Sequence, residues 1–498
     1  MRIVAKYSRL VVLVTSVVVS SACFSAEAQR KSSSNQGASV QETARSLESS
    51  ILRLMREGDV PGLSIVLISN GRISWHRGFG VKNADTKAPI SDNTVFEAAS
   101  LSKPVFAYAV LKLVDSGKLE LDKPLIDYLP EPYLADERVR LITARMALDH
   151  TTGFQNEVLP GRPLKIYFTP GEKFSYSGEG FLYLQKVVER ITSERLDVFM
   201  ARTVFEPLQM TDSSFVWQDR YEALKANGHK ASGAVGQMRK PVLPRSASGL
   251  HTTALDYAKF VIAVMNGTGL RKDTMNQMVT AQVRVDETCS NCIERSFGRP
   301  SKALLWGLGW GLERTAAGDA IWHWGDNSSE FHNFVIAYPK QKTGVVILSN
   351  SGNGFSIIPE LVSQITGHSH PAFAWMGYEA YNSPAKLLFK DILQRGITAI
   401  TQYRALHNTR RKISVLNEAQ VNGVGYWLLG KKRIEEAVEI FKMNVEDFPN
   451  SANAYDSLGE AYMTKGDKEL SIKNYKRSLE LNPNNANAVE NLRRLQYK

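Results

Sequence analysis

Residues 424–449 return, position for position, 34 residues further along the chain. Val424 matches Leu458, Gly425 matches Gly459, Leu428 matches Tyr462, Ala437 matches Ser471, Phe441 matches Tyr475 and Pro449 matches Pro483. A period of this length is one helical hairpin per repeat, and each hairpin must stack on a neighbour to bury its apolar face. Residues 415–498 are therefore expected to be all-helical: two repeats and a closing helix from Asn485 to Leu495. Two repeats are marginal alone, so helices within residues 384–422 are expected to pack against them.

The rest of the chain does not repeat. Gln41–Glu57 carries apolar residues at helical spacing. Gly62–Ile68 reads as a strand, Asn70-Gly71 as a tight turn and Ile73–Val81 as the returning strand. Leu101–Ser116 is helical and stops at Gly117. Mostly helical patterns and loops follow up to about 300. Trp322–Gly325, Asn333–Tyr338 and Gly344–Ser349 are strands again, with a helix near Pro359–Thr366. Strands at both ends of a helical stretch predict an α+β domain over residues 45–370. Its antiparallel sheet is built from both ends of the segment and flanked by helices, with a helical lobe and a site between the two. Residues 371–414 read as a helical linker.

The hydrophobic fraction of 43% and charged fraction of 22% are those of a globular protein. The net charge of +11 comes without any nucleic-acid module, and basic clusters such as Arg410-Arg411-Lys412 are short, so the excess reads as a solvated surface. Arg2, Lys6 and Arg9 before the apolar run Leu10–Val19, with Ala26-Glu27-Ala28 after it, read as a secretory signal over 1–28; a polar tail follows over 29–44. Periplasmic or secreted location is expected, with lipid anchoring after cleavage before Cys23 as the alternative. No second run approaches membrane-spanning length. Cys289 and Cys292 lack neighbouring metal ligands and a thioredoxin-like context, so a small-loop disulfide is the favoured reading over zinc or a redox pair.

Ser100-Leu101-Ser102-Lys103 places a hydroxyl and an amine one helical turn apart. A serine hydroxyl is a poor nucleophile until its proton is taken, and a partly desolvated lysine can do that or can stabilise the group that does. Alone the spacing is common. Tyr176, in Tyr176-Ser177-Gly178, adds a phenol that can relay a proton to a leaving group, and His323-Trp324-Gly325 begins a strand against which a substrate can lie. In order along the chain, these three motifs resemble the class C β-lactamase and D-Ala-D-Ala peptidase family, including its esterase branch. Leu148-Asp149-His150-Thr151-Thr152-Gly153, Pro170-Gly171-Glu172, Ser248-Gly249-Leu250-His251-Thr252-Thr253 and Gly307-Leu308-Gly309-Trp310 support the likeness, and the C-terminal periodicity resembles tetratricopeptide repeats.

The resemblance implies a β-lactamase/transpeptidase-like fold followed by the repeat domain, an acylated Ser100, an activating Lys103, Tyr176 as general base, and an oxyanion hole from the N–H groups of Ser100 and Asp326, the residue after Gly325. His323, Gly325 and Asp326 form the expected substrate-binding set, and no cofactor or metal is implied. Two departures bear on substrate. The second motif ends in Gly178 where the family has Asn, and the third has His323 and Trp324 where β-lactamases have Lys and Thr; both favour esters over penicillins. The expected activity is ester or amide hydrolysis through a serine acyl-enzyme. β-Lactamase or D-amino acid peptidase activity is the alternative, and a binding protein that recruits a partner through its repeats is the competing class. Its partners would be a small ester, amide or peptide and a protein at the repeats. His150 reads as a structural histidine, His368-Ser369-His370 as a loop, and Trp306, Trp310, Trp322 and Trp324 as core or cleft wall.

Overall fold

The computed structural model describes residues 46–158, 163–293, 298–327, 330–409 and 416–496. The expected signal and tail (1–44), Cys23 and Arg410-Arg411-Lys412 lie outside the described residues. The chain divides into Met1–Leu54 and Met55–Lys498. Of the first unit, 46–54 are helical.

In the second unit, β1 (Gly62–Ser69) and β2 (Arg72–Gly80) form the expected hairpin. Asn70 and Gly71 both hold positive φ, 53° and 68°, as a two-residue turn between twisted strands requires. Two short strands, β3 (Phe96–Glu97) and β4 (His251–Thr252), pair apart from the main sheet. Then come β5 (Val283–Asp286), β6 (Pro300–Trp306), β7 (Gly311–Thr315), β8 (Gly318–Asn327), β9 (Phe331–Tyr338) and β10 (Thr343–Ser349). The eight-stranded sheet runs β2-β1-β10-β9-β8-β7-β6-β5. The N-terminal hairpin thus joins the C-terminal strands through β1 and β10, with Leu63 opposite Ser349 and Ile68 opposite Gly344. β9 is buried along its whole length, and its Phe334–Tyr338 part reads as a continuous apolar run, whereas the edge strand β2 is largely exposed or half-buried. The helix Ala254–Asn266 lies against β1, β9 and β10.

The helix Ser102–Asp115 runs through the middle of the helical lobe and is buried from Ser102 to Leu111. A helix apolar all round needs neighbours on every side. Phe181, on the helix Gly178–Thr192, packs against its Phe106 with ring centroids 6.1 Å apart and planes tilted by 53°.

The C-terminal region is helical throughout its described part: Pro384–Arg395, Ile397–Thr409, the hairpins Glu418–Gly430/Ile434–Asp447 and Ala452–Lys465/Lys468–Leu481, and the closing helix Ala486–Gln496. The repeat positions meet small against large, Gly425 on Phe441 and Gly459 on Tyr475. Leu388, Phe389 and Ile392 share a core with Val424, Leu428 and Phe441, the packing expected of the preceding helices. This core is separate from that of the helical lobe and sheet. Polar contacts join the two: Lys386 Nζ donates to Asn353 Oδ1 at 3.2 Å, and Gln420 Nε2 to Glu379 Oε1 at 2.8 Å.

Candidate active site

Ser100 sits in the 3-10 turn Ala99–Leu101 that leads into the central helix. Ala99 holds φ +51°, an unfavourable region for a residue with a side chain, and Ser102 Oγ donates to its carbonyl at 2.6 Å. The tight turn leaves Ser100 half-exposed while the helix behind it is buried. Lys103, one turn on, is buried; its Nζ lies 3.0 Å from Ser100 Oγ and donates to the Ala247 carbonyl at 2.8 Å. Burial lowers its ammonium from 10.5 to about 7, with Glu157 pulling upward and Arg245 downward. At neutral pH a large share of Lys103 is therefore free amine, able to take the Ser100 proton.

Tyr176 is buried and stands over the same pair, with Lys103 Nζ 4.8 Å from its ring centre. Burial pushes its phenol well above the usual range, opposed by the nearby Ser100 hydroxyl, to which it makes no fully formed hydrogen bond. The resting phenol is protonated. The electrostatics thus favour Lys103 as the first proton acceptor and Tyr176 as the group that passes a proton onward.

The third motif lies on β8. Pairing with β7 ends at Trp322, while pairing with β9 continues to Asn327, so the end of β8 has one open edge, and this stretch meets the Ser100 turn. Gly325 makes the approach feasible: a Cβ there would lie 2.3 Å from the Ala98 carbonyl oxygen. This brings Ser100 and Asp326 to one cleft. His323 is fully buried and lies behind the wall. Its Nδ1–H donates to the Trp324 carbonyl at 2.7 Å, and burial together with Lys103 pushes it down to about 3, so it is a neutral ring against Tyr176 and Trp306.

The cleft is about 370 Å³, and its wall includes Ser100, Tyr176, Trp324 and Asp326. Four further wall residues carried no local sequence signal: Asn156, Ser290, Asn291 and Tyr378. Asn156 occupies the ground beside Gly178. Its carbonyl and its Oδ1 both accept from the Gly178 N–H, at 3.1 and 3.0 Å, and a Cβ on residue 178 would lie 2.6 Å from that carbonyl. An amide from another loop therefore stands where the triplet itself offers none. Ser290 and Asn291 belong to the turn closed by the Cys289–Cys292 disulfide, the bridge favoured from sequence. The Ser290 carbonyl accepts from the Tyr176 N–H at 2.8 Å, and the Cys292 N–H donates to Ser175 Oγ at 3.1 Å. Asp286, Cys289 and Cys292 lie within reach of one another, but the bridged sulfurs offer no thiolate to a metal. Tyr378, beyond residue 370, donates to Asp326 Oδ2 at 2.9 Å.

His150 belongs to the site's frame. It holds φ +64°, its Nδ1 accepts from the Ser177 N–H at 3.0 Å, and its ring lies 4.3 Å from that of Tyr176. Burial keeps it neutral. His370, in the stretch read as a loop, is paired with the buried Glu313 at 2.8 Å.

Comparison with known proteins gives the family and the fold. Residues 47–357 match the family model described as Beta-lactamase, and residues 452–485 match a tetratricopeptide repeat. The chain belongs to the β-lactamase family. It is 22% identical to Protein flp of Staphylococcus aureus over 337 residues, 63% of this chain and 64% of that protein; it spans less than two thirds of the length of this relative. It is 30% identical to Esterase EstB of Burkholderia gladioli over 218 residues, 36% of this chain and 55% of that protein. Among solved structures, the octameric penicillin-binding protein homologue from Pyrococcus abyssi aligns with TM-score 0.56 at 22% identity, over 70% of this chain and 82% of that one. The D-alanine carboxypeptidase AmpC from Burkholderia cenocepacia aligns with TM-score 0.55 at 19% identity, over 66% and 99%. These two likenesses establish the fold.

Proposed function

We propose that the chain is an exported serine hydrolase that cleaves esters, or amides, through an acyl-enzyme on Ser100. The observation that carries this reading is Lys103 Nζ at 3.0 Å from Ser100 Oγ, in an environment that holds the amine near neutrality. Lys103 takes the hydroxyl proton as Ser100 Oγ bonds to the carbonyl carbon. The N–H groups of Ser100 and Asp326 hold the oxyanion. The proton passes through Tyr176 to the leaving oxygen or nitrogen as the carbonyl reforms. Water then adds to the acyl carbon, gives its proton back along the same path, and releases the acid and the Ser100 hydroxyl.

Esters are placed ahead of β-lactams on two grounds. Gly178 supplies no side-chain amide and the Asn156 amide beside it already has its Oδ1 bound to the Gly178 N–H, and His323 is a buried neutral ring where an exposed ammonium would attract a substrate carboxylate. The esterase named among the relatives agrees with this order. The test is kcat/KM of the purified chain on chromogenic short-chain esters and on a cephalosporin, with Ser100→Ala as control. The expected result is faster ester turnover that the substitution abolishes; a cephalosporin value well above the best ester would reverse the assignment. The repeats are read as a surface for a protein partner.

A further inference from the structure

Three residues before Ser100, the side chain of Glu97 is buried and takes partners from three other segments. Its Oε1 accepts from Lys225 Nζ at 2.6 Å. Its Oε2 accepts from Asn327 Nδ2 and lies 2.9 Å from the Arg239 guanidinium. The Glu97 carbonyl accepts from Asn333 Nδ2 at 2.9 Å, and Asn333 Oδ1 in turn accepts from the Ser349 N–H at 3.2 Å. Asn327 follows Asp326 on β8, and fully buried Asn333 is the β9 residue opposite Gly325. Both amides that bind Glu97 thus flank the Gly325–Asp326 stretch, against which the Ala98 carbonyl lies. Ala99 then takes its positive φ, a conformation that persists only where the surroundings enforce it. Burying a carboxylate beside an ammonium costs desolvation and adds little stability over apolar side chains of the same volume. A cluster of this kind beside Ser100 therefore points to the geometry it fixes.

We propose that Glu97 is a positioning residue: through Asn327 and Asn333 it clasps the Ser100 turn to the end of β8 and sets the spacing of the two N–H groups that hold the oxyanion; this rests on the serine-hydrolase reading of the same cleft. Glu97 is not among the described residues of the cleft wall, so it acts through these contacts. Lys225 and Arg239 balance its charge. The effect falls on the tetrahedral intermediate, whose charged oxygen must meet both N–H groups. The bound ester, with a neutral carbonyl, gains far less from their spacing.

The test uses two substitutions in the full chain. Asn327→Leu removes the amide donor at a half-buried position and keeps the side chain's size, and Glu97→Gln removes the carboxylate. On 4-nitrophenyl butyrate each is expected to lower kcat/KM by about tenfold, less than the loss of an oxyanion donor outright. The affinity for propylboronic acid should fall in parallel. Its boron takes a lone pair of Ser100 Oγ, the hydroxyl proton passes to Lys103, and a boron-bound oxygen meets the same N–H groups. The affinity for 4-nitrophenyl butyl ether, which has the ester's length but no carbonyl oxygen, should stay at the wild-type value. The double variant should cost about as much as Glu97→Gln alone, because both changes break one bond. Wild-type kcat/KM and boronate affinity in a folded Asn327→Leu chain overturn the proposal, as do fully additive losses or an equal loss of ether affinity. If Glu97→Gln does not fold, by circular dichroism, Asn327→Leu decides alone. Failure of the wild type to cleave any ester or to bind the boronate would remove the hydrolase reading and the clasp with it, whereas an active wild type with indifferent variants removes the clasp alone.

Discussion

Burial brings the Lys103 ammonium from 10.5 to about 7, and only the free amine can accept the Ser100 proton. For an uncharged ester, kcat/KM should therefore rise with pH through about 7 and level off above it. A pH–rate profile between 5 and 9 checks this, and a profile that falls through that range would remove Lys103 as the base. Ser100 and Lys103 were legible because both lie on one helical turn, where sequence spacing is spatial spacing. Gly325 and Asp326 were legible only through the order of motifs. Asn156, Ser290, Asn291 and Tyr378 were not, because they reach the cleft from three separate segments whose local pattern is that of any polar loop. His323 shows the reverse case: the motif marked the position, but burial at the sheet, which spacing does not report, put its ring behind the wall.

The disulfide-closed turn is an element whose role follows from its contacts. It supplies two wall residues and binds the backbone of Tyr176. A bridge across three residues closes so short a loop that it restrains the unfolded chain little. Reduction, or the paired substitution Cys289→Ser and Cys292→Ser, should raise KM several-fold while the melting temperature moves by only a few degrees. A large loss of melting temperature with unchanged KM would make the bridge a structural staple instead. Among the elements, the hairpin and the return of the sheet through β10 were readable, since Asn70-Gly71 and the uninterrupted apolar strands carry their own signals. The helix Pro371–Met376 was not readable as part of the site. It belongs to what looked like a linker, and its Trp375 meets Trp324 at 5.8 Å through a fold-level approach of distant segments.

Among the described residues one core lies under the cleft and another within the repeats, and Lys386 and Gln420 make polar bonds from the repeat side to the hydrolase side. A chain ending at Ser383 keeps Trp375 and Tyr378 and should retain ester turnover within about threefold, because the bonds lost, from Lys386, Lys390 and Gln420, are half-buried polar contacts away from the cleft that contribute about 1 kcal/mol each. It should lose any binding of a partner protein. Turnover and melting of the truncated chain check this, and loss of both would make the repeats a structural prop for the hydrolase. The 34-residue period made the repeats legible from sequence alone, whereas their attachment through Lys386 and Gln420 rests on side chains that no periodicity marks.

The central claim is that Ser100 forms the covalent intermediate. Mass spectrometry after incubation with a fluorophosphonate, followed by peptide mapping, tests it most directly. The account predicts a single adduct on Ser100, absent from Ser100→Ala. An adduct on another residue, or full esterase activity in the alanine variant, would contradict it.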